Sequence, residues 1–389
     1  MCPGGRGRWD VDVVGVTIVI AGGGLSGLSL AAHLTRQPPA EPVLLVDDGS
    51  RPVTGAGWAW WSERPGLLDG AACRSFDHVR VHAGGRERVL GLGRYRYRYA
   101  RGADLAAAVG RLTRAVPDFA ARRGHVEAIT SDAGRARVLV DGTPIAATWV
   151  FDSVLGPGER PREDARLVFR GWHVRTERPA FDPEVPTLFD FRTAQDGAAS
   201  FVYVLPFGER HALVEHTAFA PPGTTADVPA QRAALAEYLT GVLRAGAYHV
   251  VGEEGAALPL SAAPVRRRHG AVLTIGTEAG LVKASTGYAY ERIQQDSAAI
   301  ARSLAVHGHP FALPRPRPRH RLFDGALLDV VTRHAGQLEK AFAALFDRTS
   351  AEPVLRFLDE RTSVAEEAAL FASMPAPAYV AAVARRMRA

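Results

Sequence analysis

Residues 16–36 read VTIVIAGGGLSGLSLAAHLTR, and residues 43–48 read VLLVDD. A β-branched run at 16–20 leads through a glycine turn into a helical pattern at 28–36, and a second apolar run follows. Because strand, tight turn, helix and strand follow one another within about 30 residues, this stretch predicts a βαβ unit over residues 17–48.

The glycine turn has the G-x-G-x-x-G spacing of a dinucleotide site. The first glycine permits the tight turn, the second lets the backbone approach a pyrophosphate, and the third allows close helix packing at a helix N-terminus that favours negative charge. Asp47 lies twenty residues beyond Gly27 and is predicted to accept hydrogen bonds from the adenosine ribose. The alternative is a glycine turn that serves only strand-to-helix packing. The predicted contacts of this segment are Gly22, Gly24, Leu25, Ser26, Gly27 and Asp47.

A second glycine loop occurs late in the chain, where GTEAG at 276–280 and STGY at 285–288 follow a predicted strand at 271–275. A long cofactor lying extended across the sheet needs a second set of backbone donors, so this loop favours FAD over NAD. We predict a ribityl contact from Glu278 and close backbone approach at Gly287; the alternative is an ordinary loop with a surface glutamate. The further predicted cofactor contacts are Gly280, Tyr288 and Arg101. The alternative for Arg101 is a place on the solvated face of a strand.

The composition is that of a globular chain. With 389 residues, 47% of them apolar and 23% charged, it can bury a sizeable core in one large compound domain or two. The net charge of +6 comes almost wholly from arginine, and no basic run accompanies a nucleic-acid reading module, so no nucleic-acid partner is predicted. Cys2 and Cys73 form neither a disulfide framework nor a metal-ligand spacing, which suits a reducing cytosol, and no metal site is predicted. The apolar run at 13–21 is shorter than the roughly 20 residues that span a bilayer.

The patterns predict an α/β fold: an FAD/NAD(P)-binding Rossmann-like domain with an inserted antiparallel β-sheet substrate domain and a C-terminal helical region. Four extended segments between residues 169 and 217 indicate the inserted sheet, and a proline-rich linker at 314–318 precedes several short amphipathic helices. The predicted boundaries are 16–160 with 265–310 for the nucleotide domain, 161–264 for the substrate domain and 320–389 for the helical region.

Glu215 stands in an apolar strand whose alternation puts Leu213 and Glu215 on one face. A carboxyl on an apolar face tends to hold its proton near neutrality and can act as an acid, whereas on a solvated face it has no such role. Asp190, between two phenylalanines, poses the same question, with pairing to Arg192 as the structural alternative. Three indoles at 58–61 are either core or cation-stabilising faces beside a reaction centre. The predicted substrate pocket comprises Trp58, Trp60, Trp61, Phe191 and Tyr203.

Taken together, these segments resemble lycopene cyclases of the bacterial and plant β-cyclase type. The likeness rests on the glycine fingerprint with its aspartate, on FRGW at 169–172 with PTLFDFR at 186–192, and most specifically on FVYVLP at 201–206 leading to LVEHT at 213–217, and on AGLVKASTGY at 279–288. The sequence departs from the plant-like form at Lys283-Ala284, where His-Pro stands, and at His216, where a second glutamate stands.

The resemblance implies a redox-neutral reaction in which Glu215 is the catalytic acid, reduced FAD is required and NAD(P)H is the reductant. It implies that lycopene or a related acyclic carotene is cyclised at its ψ end groups to β-ionone rings, giving γ-carotene and β-carotene. Because such a substrate lives in the bilayer, we expect a cytoplasmic protein attached peripherally to the inner face of the cell membrane, through apolar helices at 338–346 or 370–383 unless these are core.

Two other classes remain. One is an FAD-dependent monooxygenase or reductase acting on an isoprenoid substrate, although the late loop lacks the Asp followed by His and Pro that hydroxylases of this architecture usually show. The other is a non-catalytic carotenoid or flavin carrier.

Overall fold

The computed structural model describes residues 17–132, 134–156, 163–348, 350–372 and 376–388. Val16, at which the first predicted strand begins, and Cys2 lie outside the described residues, as do residues 157–162 at the first predicted domain boundary.

The strands and helices follow one another in the order that the sequence patterns predict for the nucleotide-binding unit. The strands are β1 (Thr17–Ala21), β2 (Val43–Asp47), β3 (Gly57–Ser62), β4 (Arg74–Phe76), β5 (His78–Ala83), β6 (Arg86–Gly91), β7 (Arg96–Arg101), β8 (Phe119–Arg123), β9 (Val126–Asp132), β10 (Arg135–Val140), β11 (Thr143–Asp152), β12 (Ala165–Thr176), β13 (Thr187–Asp190), β14 (Ala199–Gly208), β15 (His211–Ala220), β16 (Tyr248–Leu260), β17 (Arg268–His269) and β18 (Val272–Thr274). The α-helices are α1 (Leu25–Arg36), α2 (Gly102–Arg114), α3 (Val228–Glu237), α4 (Tyr290–His307), α5 (Pro318–Arg333), α6 (Gln337–Leu345), α7 (Glu352–Leu358), α8 (Val364–Phe371) and α9 (Ala376–Arg388). Short 3-10 turns lie at Val53–Gly55, Asp69–Ala71 and Gly276–Ala279, and a π-helical turn at Tyr238–Val242.

A largely parallel sheet, which we call the nucleotide sheet, has the order β17-β18-β11-β1-β2-β8. β1 is central and all of its residues are buried, because both faces of the sheet are covered. Helices α1 and α4 pack on one face, where Leu30 and Ile300 belong to the same core. β9 and β10 continue from β11, and Val138 packs with β1 and β2 side chains in a separate core.

A second sheet, which we call the long sheet, has the order β16-β12-β15-β14-β13-β5-β6. Its pairs are antiparallel except for β13 with β5. It includes β5 and β6, which precede the predicted substrate segment, and β16, which the sequence patterns did not indicate. The inward positions in the middle of β16 are Gly252, Glu254 and Ala256, so this part of the strand lacks the apolar alternation by which strands are recognised.

The long sheet has two different faces. On the outer face, α3 and the π-helical turn cover a core that includes Val202, Val214 and Leu239. On the inner face, the largest core joins Phe201 and Leu213 to the C-terminal helices. The inner face is therefore closed off by elements from the end of the chain.

The C-terminal helices pack into this core with their apolar sides. Leu338 and Leu345 of α6 are buried there. The apolar face of the helix at 338–346 therefore belongs to the core, as in the alternative to membrane attachment. Among the described helices, none combines the length and hydrophobicity that crossing a membrane requires.

A third, small sheet has the order β3-β7-β4. The Arg-Tyr alternation on β7 follows from its two faces: Tyr97 and Tyr99 are buried, whereas Arg96 and Arg98 are only partly covered. Trp60 contributes to the core of the nucleotide sheet, and Trp61 to the core of the long sheet. This small sheet therefore connects the two large ones.

Candidate functional site

The first glycine turn is built so that side chains are excluded where the backbone folds back. Gly22 has φ +104°, and a Cβ at Gly27 would lie 1.9 Å from the Gly22 carbonyl oxygen. Asp47 fixes the turn, since its carboxylate accepts hydrogen bonds from Gly23 N–H at 2.7 Å and from Gly49 N–H at 2.8 Å. A Cβ at Gly24 would meet nothing within 4 Å, so the turn is open at the start of α1. Open space beside a helix N-terminus suits a phosphate group.

The late glycine loop touches this turn. A Cβ at Gly276 would lie 2.2 Å from Ser26 Oγ, so the two segments approach as closely as glycine allows. Gly280 and Gly287 have φ +71° and +76°, and a Cβ at Gly287 would lie 2.3 Å from Leu167 Cδ2. Two loops that are about 250 residues apart in sequence thus form one continuous backbone surface, as an extended dinucleotide requires.

The other predicted cofactor contacts lie at the edges of this surface. Leu25 is buried at the start of α1. Glu278 is half-buried and lies beside Gly156, where a Cβ would be 2.7 Å from Glu278 Oε2. Arg101 ends β7 with an exposed side chain, and its Nε donates to Asp104 Oδ2 at 2.7 Å.

A cavity of about 100 Å³ opens beside the late loop, between Trp61, Thr286 and Tyr288. Near it, the buried atoms Trp60 Nε1, Ser285 Oγ and Tyr290 Oη have no hydrogen-bond partner among the described residues. Buried polar atoms nearly always have a partner, so this combination of cavity and unpartnered atoms fits a polar ligand.

The C-terminal region closes the cavity through charged contacts that the sequence analysis missed. Lys283 is buried, and its Nζ donates to Asp324 Oδ1 at 3.1 Å and to Glu360 Oε1 at 3.0 Å. Trp61 Nε1 donates to Asp359 Oδ1 at 2.8 Å. Lys283, which departs from the plant-like motif, therefore ties the late loop to the last helices.

Glu215 faces the inner side of the long sheet. Leu213 and Phe219 of the same strand lie in the inner core, whereas Val214 lies in the outer one. Burial and, to a smaller extent, the nearby Glu254 carboxyl raise the pKa of Glu215 to about 8, although a 3.1 Å hydrogen bond from Thr217 Oγ1 acts in the opposite direction. Glu215 therefore holds a proton at neutral pH.

Aromatic side chains surround this carboxyl. Tyr203 is the direct cross-strand partner of Glu215. Tyr288, at the end of the late loop, lies 3.1 Å from Tyr97 between hydroxyl oxygens, and its ring centroid is 4.4 Å from that of Trp61. Burial raises the pKa of Tyr97, Tyr203 and Tyr288 well above its ordinary value, so these phenols stay neutral. The acid, the aromatic rings and the late glycine loop therefore meet in one place.

Asp190 lies on the other face of the long sheet. It pairs in register with Val202, which belongs to the outer core. Its carboxylate accepts from Arg192 Nη2 and from the Tyr238 hydroxyl, each at 2.7 Å. Burial opposes ionisation, but these hydrogen bonds outweigh it and lower the pKa of Asp190. The geometry favours the structural alternative and separates Asp190 from Glu215.

The other predicted pocket residues are divided between cores. Phe191 packs against Phe201 and Phe342 in the inner core. Trp60 stacks on Tyr290 with ring centroids 3.9 Å apart, and Trp58 packs against the core of the nucleotide sheet. Of the three indoles, Trp61 is the one that packs against Tyr288, an aromatic residue near Glu215. Tyr97 was not among the predicted pocket residues, although the Arg-Tyr alternation marked its strand.

Comparisons with known proteins identify a family and a relative. A family profile described as "Lycopene cyclase protein" matches residues 17–384. A lycopene beta-cyclase from Paracoccus sp. (strain N81106 / MBIC 01143) is 29% identical over 300 residues, which cover 73% of this chain and 72% of that protein.

Solved structures show the same architecture at low sequence identity. A flavoprotein/dehydrogenase from Cytophaga hutchinsonii has a TM-score of 0.64 at 12% identity, covering 88% of this chain and 92% of its own. A variant of the halogenase PltM in complex with FAD has a TM-score of 0.55 at 12% identity, covering 95% of this chain and 90% of its own. These likenesses confirm the predicted fold class, that of flavoproteins with a Rossmann-like domain.

Proposed function

This chain belongs to the lycopene cyclase protein family, and from that premise we propose that it is a lycopene beta-cyclase. It converts the acyclic ψ end groups of lycopene into β-ionone rings, giving γ-carotene and β-carotene without net redox change. The observation that carries this proposal is Glu215, an acid that holds its proton near neutrality within a cluster of aromatic rings.

Glu215 starts the reaction as a general acid. Its carboxyl proton passes to the terminal double bond of the ψ end group and leaves a tertiary cation. The neighbouring internal double bond attacks this cation and closes the ring, and the ring then loses a proton to form its own double bond. One proton enters and one leaves, so substrate and product have the same molecular formula.

The aromatic side chains stabilise the positive charge while it moves. Tyr203 is paired with the acid across the strands, and Trp61 packs against Tyr288. Rings of this kind attract a cation through the negative centre of each face. Their burial also keeps water away, and water would otherwise add to the cation.

The two glycine loops fit FAD. The open turn at Gly24 and the start of α1 would hold the pyrophosphate, Asp47 the ribose, and the late loop around Gly287 the ribityl and flavin portions. Reduced FAD, when bound, supplies negative charge that stabilises a cation nearby. NAD(P)H is the proposed reductant. Because the substrate is apolar, we place the protein peripherally on the inner face of the cell membrane.

The decisive experiment is an incubation of the purified protein with lycopene, FAD and NADPH, run in parallel with and without oxygen. A cyclase forms β-ionone rings with no change in molecular mass. A mass gain of oxygen or hydrogen would instead identify a monooxygenase or a reductase, and a non-catalytic carrier would return lycopene unchanged.

Glu215→Gln tests the assignment of the acid. General acid catalysis contributes about 10²- to 10⁴-fold, so ring formation is expected to fall by at least about 10²-fold while FAD still binds. Normal β-carotene formation by this variant in a lycopene-accumulating host would show that Glu215 is not the acid.

A further inference from the structure

Four residues form a row across the inner face of the long sheet. Gly171 of β12 pairs with Glu215 of β15 on one side and with Glu254 of β16 on the other, and Glu215 pairs in turn with Tyr203 of β14. Neighbouring strands lie about 4.8 Å apart. The two glutamates are therefore next-but-one neighbours, with a glycine between them.

The glycine leaves a gap that both acidic side chains share. A Cβ at Gly171 would lie 3.3 Å from Glu254 Cγ and 3.4 Å from Glu215 Cβ. It would also lie 2.8 Å from Leu213 Cδ1, so any larger residue would crowd this space. Because Gly171 does not have a positive φ, it is the missing side chain and not the backbone conformation that matters here.

The groups around the two carboxyls are neutral. Tyr97 and Tyr99 face them from β7, Tyr203 from β14 and Tyr288 from the late loop. Thr217 on β15 is a neutral hydroxyl donor, and burial lowers the pKa of His173 on β12 and His211 on β15. From α5, Leu327, Leu328 and Val331 contribute apolar packing. Among the described residues, no arginine or lysine forms an ion pair with either carboxyl.

On the basis of the proposed function, we propose that Glu254 is a positioning residue, which keeps the transferable proton on Glu215 from the other side of the Gly171 gap. In this half-buried pair, Glu254 is the carboxyl that ionises and Glu215 is the one that keeps its proton. Two adjacent carboxylates repel each other, so ionisation of Glu254 disfavours loss of the proton from Glu215 to solvent.

The electrostatics of the site agree with this division. Burial raises the pKa of Glu254 to about 7, and burial together with Glu254 raises that of Glu215 to about 8. Once Glu215 has given its proton to the polyene, two carboxylates face each other. The newly closed ring then releases a proton to Glu215. This restores the original protonation of the pair, and no proton is consumed over the reaction.

The test is the pH dependence of ring formation, measured as kcat/KM on lycopene with reduced FAD. In the unaltered protein, activity is expected to fall as the pH rises through about 8, because Glu215 must be protonated. Glu254→Gln removes the neighbouring charge, so the midpoint of this fall should move to lower pH, while the rate on the acid side stays comparable. Glu254→Asp keeps a carboxyl and should return the midpoint toward that of the unaltered protein.

Glu253→Gln is the matched control. Glu253 is the adjacent residue on the opposite face, where Arg170 Nη1 and Arg232 Nη2 donate to it at 2.8 and 2.6 Å. Its loss should leave the midpoint unchanged. An unshifted midpoint in Glu254→Gln, or an equal shift in Glu253→Gln, would overturn the role of Glu254.

If Glu254→Gln does not fold, infrared titration of the unaltered holoenzyme decides. Two carboxyl bands that lose their protons one after the other near neutral and mildly alkaline pH support the pair, and bands that titrate together near the ordinary glutamate range overturn it. Failure of this inference differs from failure of the proposed function, because in the latter case the unaltered protein forms no rings from lycopene.

Discussion

Glu215 and Tyr203 are direct partners in the β14–β15 pairing, and both face the inner core of the long sheet. The acid and the nearest aromatic ring therefore sit on two adjacent strands and not on loops. Side chains on paired strands are held more firmly than loop residues. The relative position of acid and ring is consequently fixed by sheet register, whereas the late loop contributes Tyr288 from the side.

Burial of the Glu215 carboxyl makes stability depend on pH. Its pKa rises from 4.5 to about 8, so ionisation opposes folding, and the stability of the protein falls as the pH rises from about 4.5 through about 8. Glu215→Gln removes this cost. Compared with the unaltered protein, the free energy of unfolding of the variant should therefore be higher at alkaline pH than at acidic pH, by on the order of a few kcal/mol. Urea unfolding of the apoprotein at both pH values measures the difference.

Glu253→Gln serves as the control, because arginine contacts lower the pKa of Glu253 to about 2 and the sign of its effect is opposite. A stability difference between Glu215→Gln and the unaltered protein that is the same at both pH values would contradict the buried, protonated carboxyl.

Asp190→Asn should affect stability and leave the chemistry intact. The change weakens the contacts to Arg192 and Tyr238 on the outer face, away from Glu215. Because the side chain is buried, partial loss of a charged hydrogen-bond network is expected to cost about 1–3 kcal/mol. Thermal unfolding and kcat for ring formation, measured on the same preparation, separate the two roles. A large drop in kcat for folded protein would make Asp190 a participant in the reaction.

The sequence predicted those parts whose physical cause is local. The glycine turn and the alternation around Glu215 follow from short-range sterics and strand periodicity, and both have the expected form. The ribose contact of Asp47 stays a prediction. Strand β16 was missed, and Glu254 with it, because its inward positions from Gly252 to Ala256 are small or charged. The pairing of Glu215 with Glu254 depends on the register of three strands, which a sequence pattern does not specify.

The closure of the site by the last helices was also beyond sequence reasoning. Lys283 was noted only as a departure from a motif, while its partners Asp324 and Glu360 lie 41 and 77 residues further along the chain. Ion pairs between distant segments leave no periodic signal. The division of Trp60 and Trp61 between two cores follows from strand alternation, but which core adjoins the carboxyl is a property of the tertiary fold.

Lys283→Met should destabilise the protein strongly. Removing the ammonium leaves the carboxylates of Asp324 and Glu360 without their buried partner, although Arg292 still contacts Glu360 at 2.5 Å. Breaking a buried pair by removing one partner costs about 3–5 kcal/mol, and the remaining arginine favours the lower end. Lys340→Met is the control, since Lys340 is exposed on α6 and is the only other lysine. Equal unfolding free energies for the two variants would contradict a structural role for the Lys283 contacts.

Asp47→Ala should weaken FAD binding more than the same change at its neighbour. The Asp47 carboxylate accepts from Gly23 and Gly49 N–H, so its loss releases the turn that is proposed to hold the pyrophosphate and also removes the ribose acceptor. Hydrogen bonds to a charged group contribute about 1.5–3 kcal/mol each, and tenfold in affinity corresponds to about 1.4 kcal/mol, so Kd should rise at least about tenfold.

Asp48→Ala is the matched control. It removes a carboxylate that contacts Ser50 N–H and His125 and not the turn glycines. Its Kd should change little. Titration of apoprotein with FAD, followed by flavin fluorescence, gives both constants, and similar values for the two variants would contradict the assignment of Asp47 to the nucleotide site.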